Sequence, residues 1–165
     1  MKNIIKILII STIVFLIVPL STKVYAAGTM LFSPSPINIT LGSTSTINII
    51  GNSGGTSVDS IDVFFYFSSS YLSTQASSFV PLSGWSIANN VPNISTTGGI
   101  TYISFNMFKT GNMSAISSGT ILASFTVTGT AETPSAQAIS YHTYSKYYYQ
   151  GVENIPAYTK VKYKK

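Results

Sequence analysis

Acid–base or metal chemistry requires titratable side chains brought together, and this chain has few to bring. Beyond Ala26 its carboxylates are Asp59, Asp62, Glu132 and Glu153, its histidine is His142, and it has no cysteine. A glycosidase pair sits about 5–10 Å apart across a cleft. Asp59 and Asp62 are three positions apart at a strand edge, which points them to opposite faces. Glu132 and Glu153 lie in two separate loops. His142 would need a nucleophile and an orienting acid to act as a base. Within Ser140-Tyr141-His142-Thr143-Tyr144 it reads instead as a strand residue with its ring at a sheet edge. One histidine without cysteine argues against zinc. Asp59 or Asp62 with backbone carbonyls leaves calcium open, without an EF-hand loop. The expectation is no catalytic residue, no metal site and no cofactor.

The aromatic residues carry a different chemistry. Tyr147, Tyr148 and Tyr149, with Tyr144, Tyr141, Tyr102 and Trp85, could stack on sugar rings and hydrogen-bond through their polar ends. The competing expectation is that alternate members fill a core. Successive residues of a strand point to opposite faces, so the three consecutive tyrosines cannot share one buried face.

The N-terminus supplies the compartment. Lys2 and Lys6 precede an apolar run from Ile7 to Leu20, and Val24 and Ala26 suit a signal-peptidase cleft cutting after Ala26. The run is short for a bilayer span of ~20 residues. We therefore expect a cleaved signal peptide at 1–26, a secreted mature chain at 27–165 without a stable transmembrane segment, and possible association with a bacterial cell surface. The mature part has six lysines against four carboxylates, a formal charge of +2. Lys160, Lys162, Lys164 and Lys165 form a basic C-terminal tail, which reads as a solvated end. The body offers only Lys109 and Lys146, too few for a nucleic-acid-binding face. Without disulfides, the domain must be held by its own core.

These sites must be positioned by strands. The mature sequence is rich in Ser, Thr, Ile, Val, Phe and Tyr and shows no helical period. Strands are expected at Thr29–Phe32, Ile37–Leu41, Ser45–Ile50, Ser60–Phe67, Ile100–Met107, Thr120–Thr128, Ala136–Tyr144 and Ala157–Tyr163, with an irregular stretch from Tyr71 to Ala88. Ile61, Val63, Phe65 and Phe67 fall on one face of the strongest strand, and Ser60, Asp62, Phe64 and Tyr66 on the other. Ile103, Phe105 and Met107, and Ile121, Ala123, Phe125 and Val127, are expected to point inward. About eight or nine strands at this spacing make an all-β, two-sheet antiparallel sandwich of jelly-roll type.

The ordered set Phe32-Ser33-Pro34-Ser35-Pro36, Leu41 to Ser45, Asn52 to Gly55, Val58 to Val63 and Ser118 to Val127 resembles a cohesin-type module over roughly Met30 to Tyr163. The resemblance implies a jelly-roll receptor related to some carbohydrate-binding modules, docking a calcium-loaded dockerin on one flat sheet face. It places Asp62 at the second of two outward Asn/Asp positions. Ser60 stands at the first, where Asn is commoner, and Ser68-Ser69 stands where Asp-Pro is usual. The expected partner surface is Ser60, Asp62, Phe64 and Tyr66, extended by Tyr102, Ser104 and Asn106. Alternatively, residues 71–97 fold over this face and bury it. The expected function is non-enzymatic binding of a protein partner, dockerin-like or other. The alternatives are polysaccharide binding through Tyr147, Tyr148 and Tyr149, and assembly through sheet edges.

Overall fold

The computed structural model describes residues 28–158 and 161–164, so the expected signal peptide lies outside the described residues. In chain order the strands are β1 (Thr29–Ser33), β2 (Ile37–Asn38), β3 (Thr44–Asn52), β4 (Ser57–Val58), β5 (Ser60–Ser68) and β6 (Leu72–Ser73). Next come β7 (Val80–Pro81), β8 (Trp85–Ile87), β9 (Asn93–Thr97), β10 (Ile100–Lys109), β11 (Ser114–Ala115) and β12 (Thr120–Gly129). The chain closes with β13 (Gln137–Tyr141), β14 (Lys146–Tyr149), β15 (Val152–Asn154), β16 (Ala157–Tyr158) and β17 (Val161–Lys164). The described residues thus hold seventeen strands, more than eight or nine, because the irregular segments add short pieces at the sheet margins and a separate β4–β11 pair. No described helix is long and apolar enough to cross a membrane.

Two main sheets form the sandwich. The first runs β16-β1-β3-β12-β6, with β7 also on β12. The second is centred on β5, which pairs antiparallel with β10 on one side and with β13 and β14 on the other. The other flank of β10 takes β8 and β9. The β9–β10 hairpin turns through Gly98 and Gly99, with φ of 59° and 79°. Consecutive positive φ values suit a two-residue hairpin turn and favour glycine at both places.

Alternation in β5 delivers Ile61, Val63, Phe65 and Phe67 to the core, where all four are buried, as are Ile103, Phe105 and Met107 of β10. Phe125 joins them from the opposite sheet. Phe79 stacks on Phe125 at 4.9 Å, Phe32 stacks on Tyr141 at 4.1 Å, and Phe65 touches Phe32 and Phe125. Rings from both sheets therefore interlock through the centre of the sandwich.

Two expectations need correction. Ile121 points outward, 43% exposed, while Leu122 and Ala123 are both buried. The β3–β12 register shifts between Ile121 and Ala123, and this bulge turns two successive residues inward. The strand expected at Ile37–Leu41 stops at Asn38. Leu41 makes only a parallel bridge to Gly129, and Gly42, with φ of 76°, starts the turn. The basic tail enters the closing strand expected at Ala157–Tyr163. Its described portion, β17, lies between β13 and β2, pairing antiparallel with the first and parallel with the second. Alternating valine, lysine and tyrosine made that segment compatible with a strand, and the sheet places recruit its backbone.

Candidate functional site

Full-length pairing of β5 with β10 sets the outward residues opposite one another. Ser60 faces Phe108, Asp62 faces Asn106, Phe64 faces Ser104, and Tyr66 faces Tyr102. Side chains at such positions meet directly across the strands. Asn106 Nδ2 donates to Asp62 Oδ1 at 2.7 Å, and the Tyr66 and Tyr102 rings lie 6.0 Å apart at 40°. All seven residues expected on this surface are half-buried or exposed on the outer side. Residues 71–97 do not cover it. They supply β6 and β7 to the first sheet and β8 and β9 to the flank of β10.

The other side of β5 is paired in two pieces. Ser140 and Tyr141 of β13 face Tyr66 and Phe65, and Lys146, Tyr147 and Tyr148 of β14 face Asp62, Ile61 and Ser60. Residues 142–145 bulge between them. The ladder groups of Phe64 are met there by other means. Its N–H donates to Ser145 Oγ at 2.8 Å, and its carbonyl accepts both Ser145 Oγ–H and the His142 N–H, each at 2.8 Å. Ser145 is completely buried, its hydroxyl standing in for a backbone pair. The bulge lifts Tyr144 to 62% exposure, with its ring edge-to-face against Phe64 at 5.9 Å and 4.3 Å from His142. A concave pocket of ≈ 260 Å³ results, lined by Phe64, Tyr102, Tyr144, Ser95, Ser104 and His142 over Phe65 and Ile103. His142 is thus in a loop just beyond β13, not on a strand edge as expected.

The other end of the face is polar. Lys146 pairs with Glu153 at 2.6 Å. The Tyr148 phenol is pushed up to about 12 by burial first, then by its hydrogen bond to Asp62 and the negative charges of Asp62 and Glu153. Asp59 holds a turn, accepting the Gln150 N–H at 2.6 Å on Oδ2 and the Ser60 hydroxyl at 3.3 Å on Oδ1. Among the described residues, no group of three or more His, Cys, Asp or Glu could hold a metal ion.

The tyrosine triplet divides, and Tyr147 must be withdrawn as a sugar-stacking residue. It is 1% exposed, its hydroxyl donating to the Thr29 carbonyl at 2.7 Å and accepting the Asn52 N–H at 3.2 Å. The alternation of β14 turns it inward, and Gly28 and Gly51 leave room for its ring and hydroxyl. Tyr148 and Tyr149 are half-buried. Of the other aromatic candidates, Tyr141 and Trp85 belong to the core, whereas Tyr102 and Tyr144 reach solvent. Ser95, His142, Lys146 and Tyr148 were not assigned to this face from the sequence. Tyr148 could have been placed there from the inward orientation of its neighbour, but the others depend on strand register.

No protein-family profile matches the chain, and no curated protein matches its sequence. Solved structures do match its shape. The sixth cohesin of scaffoldin B from Acetivibrio cellulolyticus, solved in complex with a Cel5 dockerin mutant, aligns at TM-score 0.61 and 12% identity, covering 84% of this chain and 99% of that one. A non-cellulosomal cohesin from the archaeon Archaeoglobus fulgidus aligns at 0.60 and 14%, covering 84% and 90%. A cohesin from a type I cohesin–dockerin complex of Clostridium thermocellum aligns at 0.61 and 15%, covering 83% and 92%. The chain has the cohesin-type fold, as its ordered sequence signals implied.

Proposed function

We propose that this chain is an exported, non-enzymatic receptor module that captures a protein partner, dockerin-like in character, on the outer face of β5 and β10. One observation carries the reading. The Asp62–Asn106 pair sits within a face whose neighbouring side chains, Phe64, Tyr66 and Tyr102, remain partly in water instead of being covered. Large aromatics around a few fixed hydrogen-bonding groups are the composition of a recognition centre. The solved cohesins with dockerins bound support the class of partner. Export rests on Lys2, Lys6, the apolar run and the Val24/Ala26 boundary.

The test is calorimetry of the protein against a panel of calcium-loaded dockerins, with the double variant Phe64→Ser, Tyr66→Ser as control. The parent should bind at least one dockerin, and the double variant should bind none while melting near the parent temperature. Parent and variant binding equally would place the interface elsewhere. No binding by the parent to any dockerin would remove the dockerin-like partner.

A further inference from the structure

The pocket beside the β13–β14 bulge has a chemistry distinct from the Asp62–Asn106 end of the same face. We infer that it is a binding site for one neutral pyranose ring, such as a sugar unit of a glycan. This goes beyond the protein-partner reading and does not rest on it.

Size is the first argument. At ≈ 260 Å³ the pocket lies just below the ~300–1,000 Å³ typical of drug-sized ligands, which suits a single ring. Its walls are the second. Phe64, Tyr102 and Tyr144 surround the space, with Tyr102 42% and Tyr144 62% exposed. A pyranose offers C–H faces to such rings and hydroxyls to their polar ends.

The polar groups narrow the ligand further. Ser95 and Ser104 each bring a hydroxyl, which both donates and accepts. His142 Nδ1 accepts the Tyr144 N–H at 3.3 Å, which leaves Nε2 as the ring nitrogen not engaged by that turn. No Asp, Glu or Lys lines the pocket, which disfavours a charged ligand. A hydrocarbon side chain would take these hydroxyls and the imidazole out of water without replacing their hydrogen bonds. A sugar ring both donates and accepts around its rim, and so replaces them.

The site is also built. Ser145 is buried to hold the bulge closed on Phe64, and the bulge raises Tyr144 and His142 beside the sheet. Continuous pairing of β13 and β14 along β5 would leave no such wall.

The experiment is an amide NMR titration of the protein with the methyl pyranosides of glucose, galactose, mannose and N-acetylglucosamine. N-acetyl-phenylalaninamide serves as the side-chain probe. At least one pyranoside should shift the Ser95, Ser104, His142 and Tyr144 signals saturably, with Kd on the order of 1 mM. Tyr144→Ala should weaken that binding at least about tenfold without moving the melting temperature, since its ring is largely exposed. Ser104→Ala should weaken it with the aromatic wall intact. The proposal is overturned if no pyranoside shifts these signals, if both variants bind as the parent does, or if only N-acetyl-phenylalaninamide fills the pocket. Dockerin binding by a protein that ignores all four sugars would leave the partner reading standing and remove this one.

Discussion

Asn106 Nδ2 donates to Asp62 Oδ1 at 2.7 Å across the β5–β10 register, tying the centres of two long strands together on their outer side. Both side chains are half-buried. A bond of this kind contributes about 1 kcal/mol net, somewhat more with a charged partner. Asn106→Ala and Asp62→Ala should therefore each lower stability by about 1–2 kcal/mol in urea denaturation. Both should abolish dockerin binding by calorimetry. Full binding by either variant would take this pair out of the recognition centre.

Phe65 and Phe125 meet at 5.0 Å between the sheets. Replacing either with alanine should cost about 3–5 kcal/mol, read from denaturant midpoints and slopes. A loss below about 1 kcal/mol would mean that the cavity collapses at almost no cost, contrary to the ring packing.

Tyr147 joins the sheets differently, by reaching from β14 to the backbone of β1 and β3. Tyr147→Phe should lower stability by about 1–3 kcal/mol, because the half-buried Asn52 N–H loses its acceptor and the Thr29 carbonyl loses its donor. Gly51→Ala should cost more. Its added methyl would lie 2.7 Å from the Tyr147 hydroxyl and 2.5 Å from Leu122 Cδ1. Thermal melts of the two variants should rank them in that order.

Tyr148 sets an alkaline limit. Its proton is held more tightly in the folded state, with the phenol raised from 10.0 to about 12. Its contribution is fully present below pH 10.0 and is lost as pH rises through about 12. Phenolate absorbance should show one tyrosine ionising late, and Tyr148→Phe should remove that step and flatten the stability loss over the same range.

Processing gives a direct mass measurement. Material secreted by a bacterial host should begin at Ala27. A product retaining Met1 in the membrane fraction would make the segment an anchor.

The sequence disclosed those strands in which pattern and packing agree. In β5 and β10, inward apolar residues alternate with outward ones, Phe64 and Phe108 being apolar on the outer side, so the two faces followed directly, whereas the register that opposes them did not. The bulge at Leu122 broke the same logic in β12, since two adjacent apolar residues cannot reveal which register survives. Asn93–Thr97 is too polar to announce a strand and forms β9 by pairing with the edge of β10. The pocket was equally hidden. It depends on Ser145, one serine in a serine-rich chain, whose role appears only when β13 and β14 are seen sharing β5.

β1 pairs in parallel with β16, and β2 with β17, so the first two strands of the domain are fastened to the last two. In each pair the polypeptide on the N-terminal side leaves one end, and that on the C-terminal side leaves the other. A pull applied to the two flanks would therefore run along these strands and load their hydrogen bonds together in shear, rather than peel them one by one. A receptor that held a partner on the β5–β10 face while tethered beyond β17 would instead pass that tension from β5 through β13 to β17, across the strands of one sheet.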